Sequence, residues 1–248
     1  MSGIELEQPY PRPLSGAVVD GLPSALIPAR VELKGQYVTL QPQDARKHAA
    51  DLYHSSHDSE AGLATWDYLA YGPWPDEKAF AANMRMQSAN FETIFYAIKA
   101  NDANGFGGQS SFLDINPQMG VIEIGHIWFG PELQRTRAAT EALYLMIRHA
   151  MDDLGYRRMH WRCNSLNEKS RQAARRLGFR FEGVFYNHMI FKGKNRDTAW
   201  YSILDDEWPE VRGILETWLA PDNFSDDGSA KTSLFEAMQD RTPSQRGE

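Results

Sequence analysis

A chain of 248 residues, 42% hydrophobic and 24% charged, has the composition of a folded globular protein and room for one large domain or one domain with extensions. Its formal net charge of -7 argues against non-specific nucleic-acid binding, which rests on Lys and Arg at phosphates. No apolar run approaches the roughly 20 residues of a membrane helix. The opening MSGIELEQPYPRPLSG lacks the basic and apolar regions of a secretory signal. Cys163 is the only cysteine, so no intramolecular disulfide can form, and the histidines are scattered, so no metal site is expected. These features predict a cytoplasmic protein whose partners are neither nucleic acid nor membrane.

Residues 1–29 are proline-rich and aperiodic and read as an extended arm. Residues 30–220 form the compact unit, and 221–248 a polar tail in which Lys231–Asp240 could make a short helix. Either arm could wrap a second copy of the chain in a homodimer. Within the compact unit, Val31–Leu40 alternates apolar and polar residues, predicting a strand. Asp44 caps a predicted helix reaching about Ser55, and Asp76 another reaching about Gln87. Between them Trp66–Trp74 is aromatic and proline-punctuated, as in a loop or broken helix. Thr93–Lys99, Gln109–Ile115 and Val121–Phe129 follow as an antiparallel meander. Arg135–Leu154 then carries helical spacing up to Gly155. Arg158–Cys163 is a predicted strand and Glu168–Leu177 a helix closed by Gly178. Two further strands, Arg180–Met189 and Thr198–Leu204, meet through the Lys192–Asn195 turn before a last helix at Glu207–Leu219. This mixture of hairpins and crossovers predicts an α+β fold with a mixed sheet.

Three blocks carry a resemblance. Ile122–Ala142 (IEIGHIWFGPELQRTRAATEA) is similar to the acetyl-CoA segment of the GNAT superfamily of N-acetyltransferases, with its nearest likeness in the ribosomal-protein (Rim-type) branch. Asn167-Glu-Lys-Ser170 with Arg175–Gly183, and Lys194–Leu204 with Glu207-Trp208, follow at the family's distances. The resemblance implies the GNAT fold, a bent, mixed, mostly antiparallel sheet flanked by helices. It also implies transfer of acetyl from acetyl-CoA to a primary amine by direct attack in a ternary complex.

The physics of the first block agrees. A helix start offers amide N–H groups and partial positive charge to an anion such as the coenzyme A pyrophosphate. The loop Gln134-Arg135-Thr136-Arg137-Ala138-Ala139, entering a helix at Thr140, occupies that position. Arg137 stands where the family usually has glycine, which leaves two readings: a charged contact to phosphate, or a solvated loop arginine. The resemblance further implies that the backbone of Ile127, Trp128 and Phe129 polarises the thioester, and that Asn167 and Ser170 touch the pantetheine arm. Asn167 is equally a good helix cap.

Catalytic groups are less clearly marked. The tyrosine acid that many relatives carry seven residues after the asparagine is Ala174 here, with Ser170 as a candidate substitute. Glu123 is the first candidate base and His126 the second; strand alternation puts them on opposite faces unless a bulge intervenes. Trp66, Tyr68, Tyr71 and Trp74 could line the acceptor site or form a small second core, and Tyr186 and His188 could face the acceptor from the late hairpin. Lys192, Lys194, Asn195 and Arg196 read as a solvated turn. The acceptor is expected to be a protein amino terminus or a small amine such as a polyamine, amino acid or aminoglycoside. A non-catalytic acyl-CoA-binding module is the remaining alternative.

Overall fold

The computed structural model describes residues 5–20 and 25–241. Their contacts group them into two compact units. The amino-proximal unit comprises Ile27–Ile115 and Ile122–Ala150. The carboxy-proximal unit takes Asn116–Val121, the residues from Met151 onward and the amino-terminal arm as far as Leu26.

In the amino-proximal unit β1 (Leu33–Lys34), β2 (Val38–Pro42), β3 (Ile94–Ala100), β4 (Gly108–Asn116) and β5 (Val121–Phe129) lie side by side in chain order. β1 to β4 pair antiparallel, with Leu33 opposite Leu40, Leu40 opposite Ile98, and Tyr96 opposite Ser110. The single strand expected over Val31–Leu40 is therefore a hairpin. Its alternation continues through a tight turn in which the Gly35 N–H donates to the Val38 carbonyl (2.8 Å), and the turn residues Gly35 and Gln36 give no proline or Asn-Gly signal.

Two helices start where short acidic residues predict. Asp44 accepts from Arg46 N at the start of α1 (Ala45–His57). A short α2 (Glu60–Leu63) runs into a 3-10 turn at Ala64–Trp66. Asp76 then accepts from Ala79 N at the start of α3 (Glu77–Ala89). Leu52 of α1, Phe80 and Met84 of α3, Trp66, Ala97 and Trp128 are buried together in one cluster. Each such side chain contributes roughly 1.5–3 kcal/mol by leaving water.

After β5 the chain enters α4 (Arg137–Arg148) and continues as one wider π turn at His149–Asp153. The helix thus begins three residues before Thr140, at Arg137. Its buried Glu141 carboxylate accepts from the amides of Gln36 (2.9 Å) and Tyr37 (2.6 Å). A Cβ on Gly35 would lie 2.5 Å from that carboxylate, so the β1–β2 turn needs glycine there for close approach.

The carboxy-proximal unit contains β6 (Arg158–Asn164), α5 (Glu168–Arg176), β7 (Arg180–Phe191), β8 (Lys194–Leu204), α6 (Trp208–Leu219) and α7 (Leu234–Gln239). β8 lies between β6 and β7, antiparallel to both. Gly178 closes α5 in the left-handed region (φ 94°); a Cβ there would come within 2.8 Å of Val211 and 3.1 Å of Met238. The short helix expected in the tail is α7, with Leu234 and Met238 buried. Among the described residues no helix is long and apolar enough to cross a membrane.

Glu141→Gln should test the tie between hairpin and helix. It replaces one acceptor oxygen with an NH2 group facing a backbone N–H, leaving a buried donor unsatisfied. Urea unfolding is expected to show a loss of about 1–3 kcal/mol.

Candidate active site

β5 departs from regular strand geometry at one residue. His126 has φ 52°, a left-handed conformation that is uncommon for a non-glycine residue and breaks the alternation of the pleat. The carbonyls on either side of the His126 Cα are held from β4: Ser111 Oγ donates to Gly125 O (3.1 Å) and Gln109 Nε2 donates to His126 O (3.2 Å). Gln109 is itself oriented, because its Oε1 accepts from Gln43 Nε2 (2.8 Å). Its NH2 group therefore faces β5 and also donates to the Tyr71 oxygen (3.2 Å).

Tyr71 completes the group. Its hydroxyl lies 2.8 Å from His126 Nδ1, and the two rings stack at 5.4 Å. Phe95 packs on the other contact of the imidazole at 5.1 Å. Burial pushes the Tyr71 phenol well above its ordinary value, so it stays protonated throughout the range in which histidine titrates. His126 is half-buried. Glu123, by contrast, is only 4% exposed, and its carboxylate lies within 4.8 Å of that of Asp114.

The loop after β5 is drawn close to α1. The Gly130 N–H donates to Gly107 O (2.7 Å), and a Cβ on Gly130 would lie 1.9 Å from Ser55 Oγ. Gln134 folds back, its Nε2 donating to Phe129 O (2.7 Å). Arg135 takes the left-handed conformation (φ 61°). Thr136 is the N-cap, accepting from Ala139 N (3.1 Å) and donating to Leu133 O (2.8 Å). Ala138, Ala139 and Thr140 are buried in the first turn.

This corrects the sequence reading of where the helix begins. Arg137 occupies the first helical position, where ordinary helical dihedrals serve and glycine's freedom is not required; the left-handed residue is Arg135. The Arg137 side chain lies over the Tyr37 ring, 3.7 Å from its centroid, a cation–π stack. The reading of Arg137 as a solvated loop residue gives way to one in which its guanidinium is held at the mouth of the helix.

The aromatics also sort themselves. Trp66 is buried against Trp74 (5.0 Å), Phe80 (6.2 Å) and Trp128 (5.1 Å), so its ring belongs to the core and cannot wall an acceptor site. The Trp128 ring is core for the same reason, whereas Ile127 and Phe129 are half-buried. Tyr71 and Trp74 are half-buried and Tyr68 is exposed. Trp74 is fixed by its N–H donating to His57 Nε2 (3.1 Å). The ring accepts there, so Nδ1 carries the proton and donates to Tyr53 O (3.1 Å).

In the carboxy-proximal unit Asn167 is the N-cap of α5, accepting from Ser170 N (3.1 Å). Ser170 Oγ accepts from Trp161 Nε1 (3.0 Å). Ala174 is buried, as a helix-face alanine facing the core. Burial raises the neighbouring Cys163 thiol to about 11, which makes it a poor nucleophile. His188 Nδ1 meets Thr198 Oγ1 (3.0 Å), while Tyr186 projects into solvent. Arg196 lies over the Phe191 ring at 4.4 Å, Asn195 Nδ2 donates to Asp197 (3.0 Å), and Lys192 and Lys194 are exposed.

Residues 38–180 match the Acetyltransferase (GNAT) domain, more than half of the chain. The chain belongs to the GNAT family of N-acetyltransferases. A GCN5-related N-acetyltransferase from Brucella melitensis is 38% identical, with a TM-score of 0.86 over 89% of this chain and 100% of its own. A probable GNAT-family acetyltransferase from Chromobacterium violaceum is 40% identical, with a TM-score of 0.73 over 81% of this chain and 99% of its own. YdaF of Bacillus subtilis, whose name assigns it provisionally to ribosomal N-acetylation, is 25% identical over 172 residues, 68% of this chain and 90% of its own. GNAT acetyltransferases use acetyl-CoA, and the capped start of α4, with its amide N–H groups and the guanidinium stacked on Tyr37, has the chemistry of an anion site.

Gln109, Gln43 and Tyr37 escaped the sequence reading. The signal for the first was present, since a glutamine in the buried half of a strand calls for hydrogen-bond partners. Nothing local marks Tyr37.

Two outcomes follow from this geometry. Arg137→Glu should raise KM for acetyl-CoA about tenfold at low salt with kcat little changed, and Tyr37→Leu should give a smaller rise in the same direction. Burial also holds the His57 and His48 rings below the ordinary 6.5. The unfolded chain then binds the proton first, so their stabilising effect is complete above about pH 6.5 and is lost as pH falls below it. Thermal melts should show this fall between pH 7 and pH 5, and a shallower one in His57→Phe, which starts from a lower midpoint.

Proposed function

We propose that this GNAT enzyme acetylates the amino terminus of a protein, with His126 as the proton acceptor and Tyr71 as the residue that orients it. The observation that carries the reading is the Tyr71–His126 pair at the left-handed residue of β5. When Nδ1–H donates to the Tyr71 oxygen, Nε2 is the nitrogen that accepts the proton. Glu123 suits the role less well, because it is buried and beside a second carboxylate.

The amine nitrogen attacks the thioester carbonyl carbon directly. The C–N bond forms, the C–S bond breaks, and the proton from the ammonium passes to His126. The β5 backbone around Ile127–Phe129 polarises the carbonyl, as oxyanion donors do. In the amino-proximal unit, amides of Arg135–Ala138 with the Arg137 guanidinium take the pyrophosphate; in the carboxy-proximal unit, the resemblance to the family assigns Asn167 and Ser170 to the pantetheine arm. A thiolate of pKa near 8.5 leaves without strong acid assistance, which makes Ala174 at the usual tyrosine position tolerable.

Magnitudes favour an α-amino acceptor over lysine. An α-amino group has a pKa of about 7.7–8.0, against about 10.4 for a lysine side chain. An imidazole base is better matched to the first than to the second. The similarity to YdaF supports the same acceptor class. Cytoplasmic localisation would place the enzyme with such substrates.

The test is thiol release from acetyl-CoA with a panel of peptides, polyamines, amino acids and aminoglycosides. Peptides with free amino termini should accelerate release most. His126→Ala should lower kcat about 10²–10⁴-fold with KM for acetyl-CoA within twofold, and Tyr71→Phe should lower kcat less and move the acid limb of its pH profile. Full rate in His126→Ala would move the base to Glu123 or solvent. Acetyl-CoA binding with no accelerated release by any amine would leave a binding module.

A further inference from the structure

The amino-terminal arm is pinned to the carboxy-proximal unit by a buried cation. Arg171, on α5, is 4% exposed. Its guanidinium donates NH1 to Ser165 O (3.2 Å), NH2 to Glu5 O (2.8 Å), and Nε and NH2 to the Glu7 carboxylate (3.3 and 3.2 Å). Glu7 also accepts from Tyr201 Oη (3.1 Å) and Arg175 NH1 (3.4 Å). The rest of the arm runs on from this point: Tyr10 N–H donates to Phe181 O (3.0 Å), the Arg180 guanidinium lies over the Tyr10 ring, and Arg12 pairs with Asp206.

A buried arginine needs a counter-charge, since an unpaired cation in a dry site is strongly destabilising. No acidic residue of α5 or of the Ser165–Asn167 turn forms an ion pair with Arg171 among the described contacts; Glu7 does. The bonds therefore form a line. The arm's carboxylate holds Arg171, Arg171 holds the Ser165 carbonyl, and Ser165 begins the turn that Asn167 closes by capping α5. Arg171 N–H also donates to Asn167 O (3.0 Å) within the helix. Burial alone would raise the Glu7 carboxyl, but its backbone hydrogen bond and Arg171 outweigh it and hold the carboxyl below the ordinary value, so the counter-charge is present throughout the neutral range.

We infer that Glu7 and Arg171 are positioning residues for the coenzyme arm: the amino-terminal arm, by neutralising Arg171, sets the Ser165–Ser170 turn in the conformation that receives pantetheine. This rests on the reading above that Asn167 and Ser170 touch the coenzyme. Neither Glu7 nor Arg171 meets the acetyl group. Removing the counter-charge should therefore weaken acetyl-CoA binding and leave the chemical step intact.

The test uses the full chain. Calorimetric binding of acetyl-CoA to the wild type comes first; no binding there sinks the functional reading and this inference with it. Given binding, Glu7→Gln should raise Kd and KM for acetyl-CoA roughly 5- to 20-fold, with kcat and KM for the amine within twofold. Glu7→Asp, which keeps the charge, should recover most of the affinity. Arg175→Met removes the outer, more exposed partner of Glu7, together with its contacts to Gln239 and Phe235 of α7, and should give a smaller rise in a chain that still folds. If Glu7→Gln lowers the melting temperature but leaves Kd for acetyl-CoA unchanged, the arm is a structural strap alone and the inference fails. It fails equally if kcat and both KM values change together, or if Arg175→Met binds acetyl-CoA as tightly as the wild type when Glu7→Gln cannot be folded.

Discussion

The left-handed backbone at His126 is the constraint on which the amino-proximal site depends. A non-glycine residue at φ 52° in the middle of a strand is strained by roughly 1–3 kcal/mol. It persists because its surroundings over-determine it. Ser111 and Gln109 take the two carbonyls, Gln43 fixes the amide of Gln109, and Tyr71 and Phe95 hold the ring. One break in the pleat therefore turns an imidazole toward a tyrosine that a regular strand would have kept from it. The residues that hold the break come from the β2–α1 junction, the aromatic loop, β3 and β4, which gives the buried Gln109 and Ser111 of β4 their partners.

The same unit shows how a charged helix start can be built without glycine. Thr136 caps α4, Arg135 takes the left-handed position, and Arg137 begins the helix with its side chain stacked on Tyr37. Glu141, one turn further on, reaches back to the amides of Gln36 and Tyr37. The hairpin and the helix start are thus joined twice, once through a carboxylate and once through a ring.

Most of this fold could be read from pattern. Asp44, Asp76 and Asn167 cap helices where short polar residues precede helical periodicity, and Gly178 closes α5 as a left-handed glycine should. The first of the blocks that resemble GNAT enzymes, and most of the second, lie within the residues that match the family. What could not be read was long-range. Gly35 looks like any strand glycine until Glu141, 106 positions later by number, is seen beside it. Trp66 and Tyr71 are indistinguishable in an aromatic stretch, yet one is core and the other touches His126. Glu7 sits in a proline-rich arm with nothing local to mark it as the partner of Arg171. The helix start was placed three residues late for a different reason: the family's glycine pattern suggested a loop as far as Ala139, whereas Thr136 already caps the helix.

The Tyr37–Arg137 stack has a consequence for how such sequences vary. A guanidinium at the first helical position is useful only if something flat lies beneath it, and a tyrosine at the hairpin turn is covered only if a long side chain reaches it. Each residue alone would be a cost, the one as a wandering charge at the helix start, the other as an exposed ring. The two positions are therefore physically coupled, each side chain supporting the other. A relative with glycine at the helix start should carry a small or polar residue where this chain has Tyr37, and recognising one partner in a new sequence is reason to look for the other, a hundred residues away.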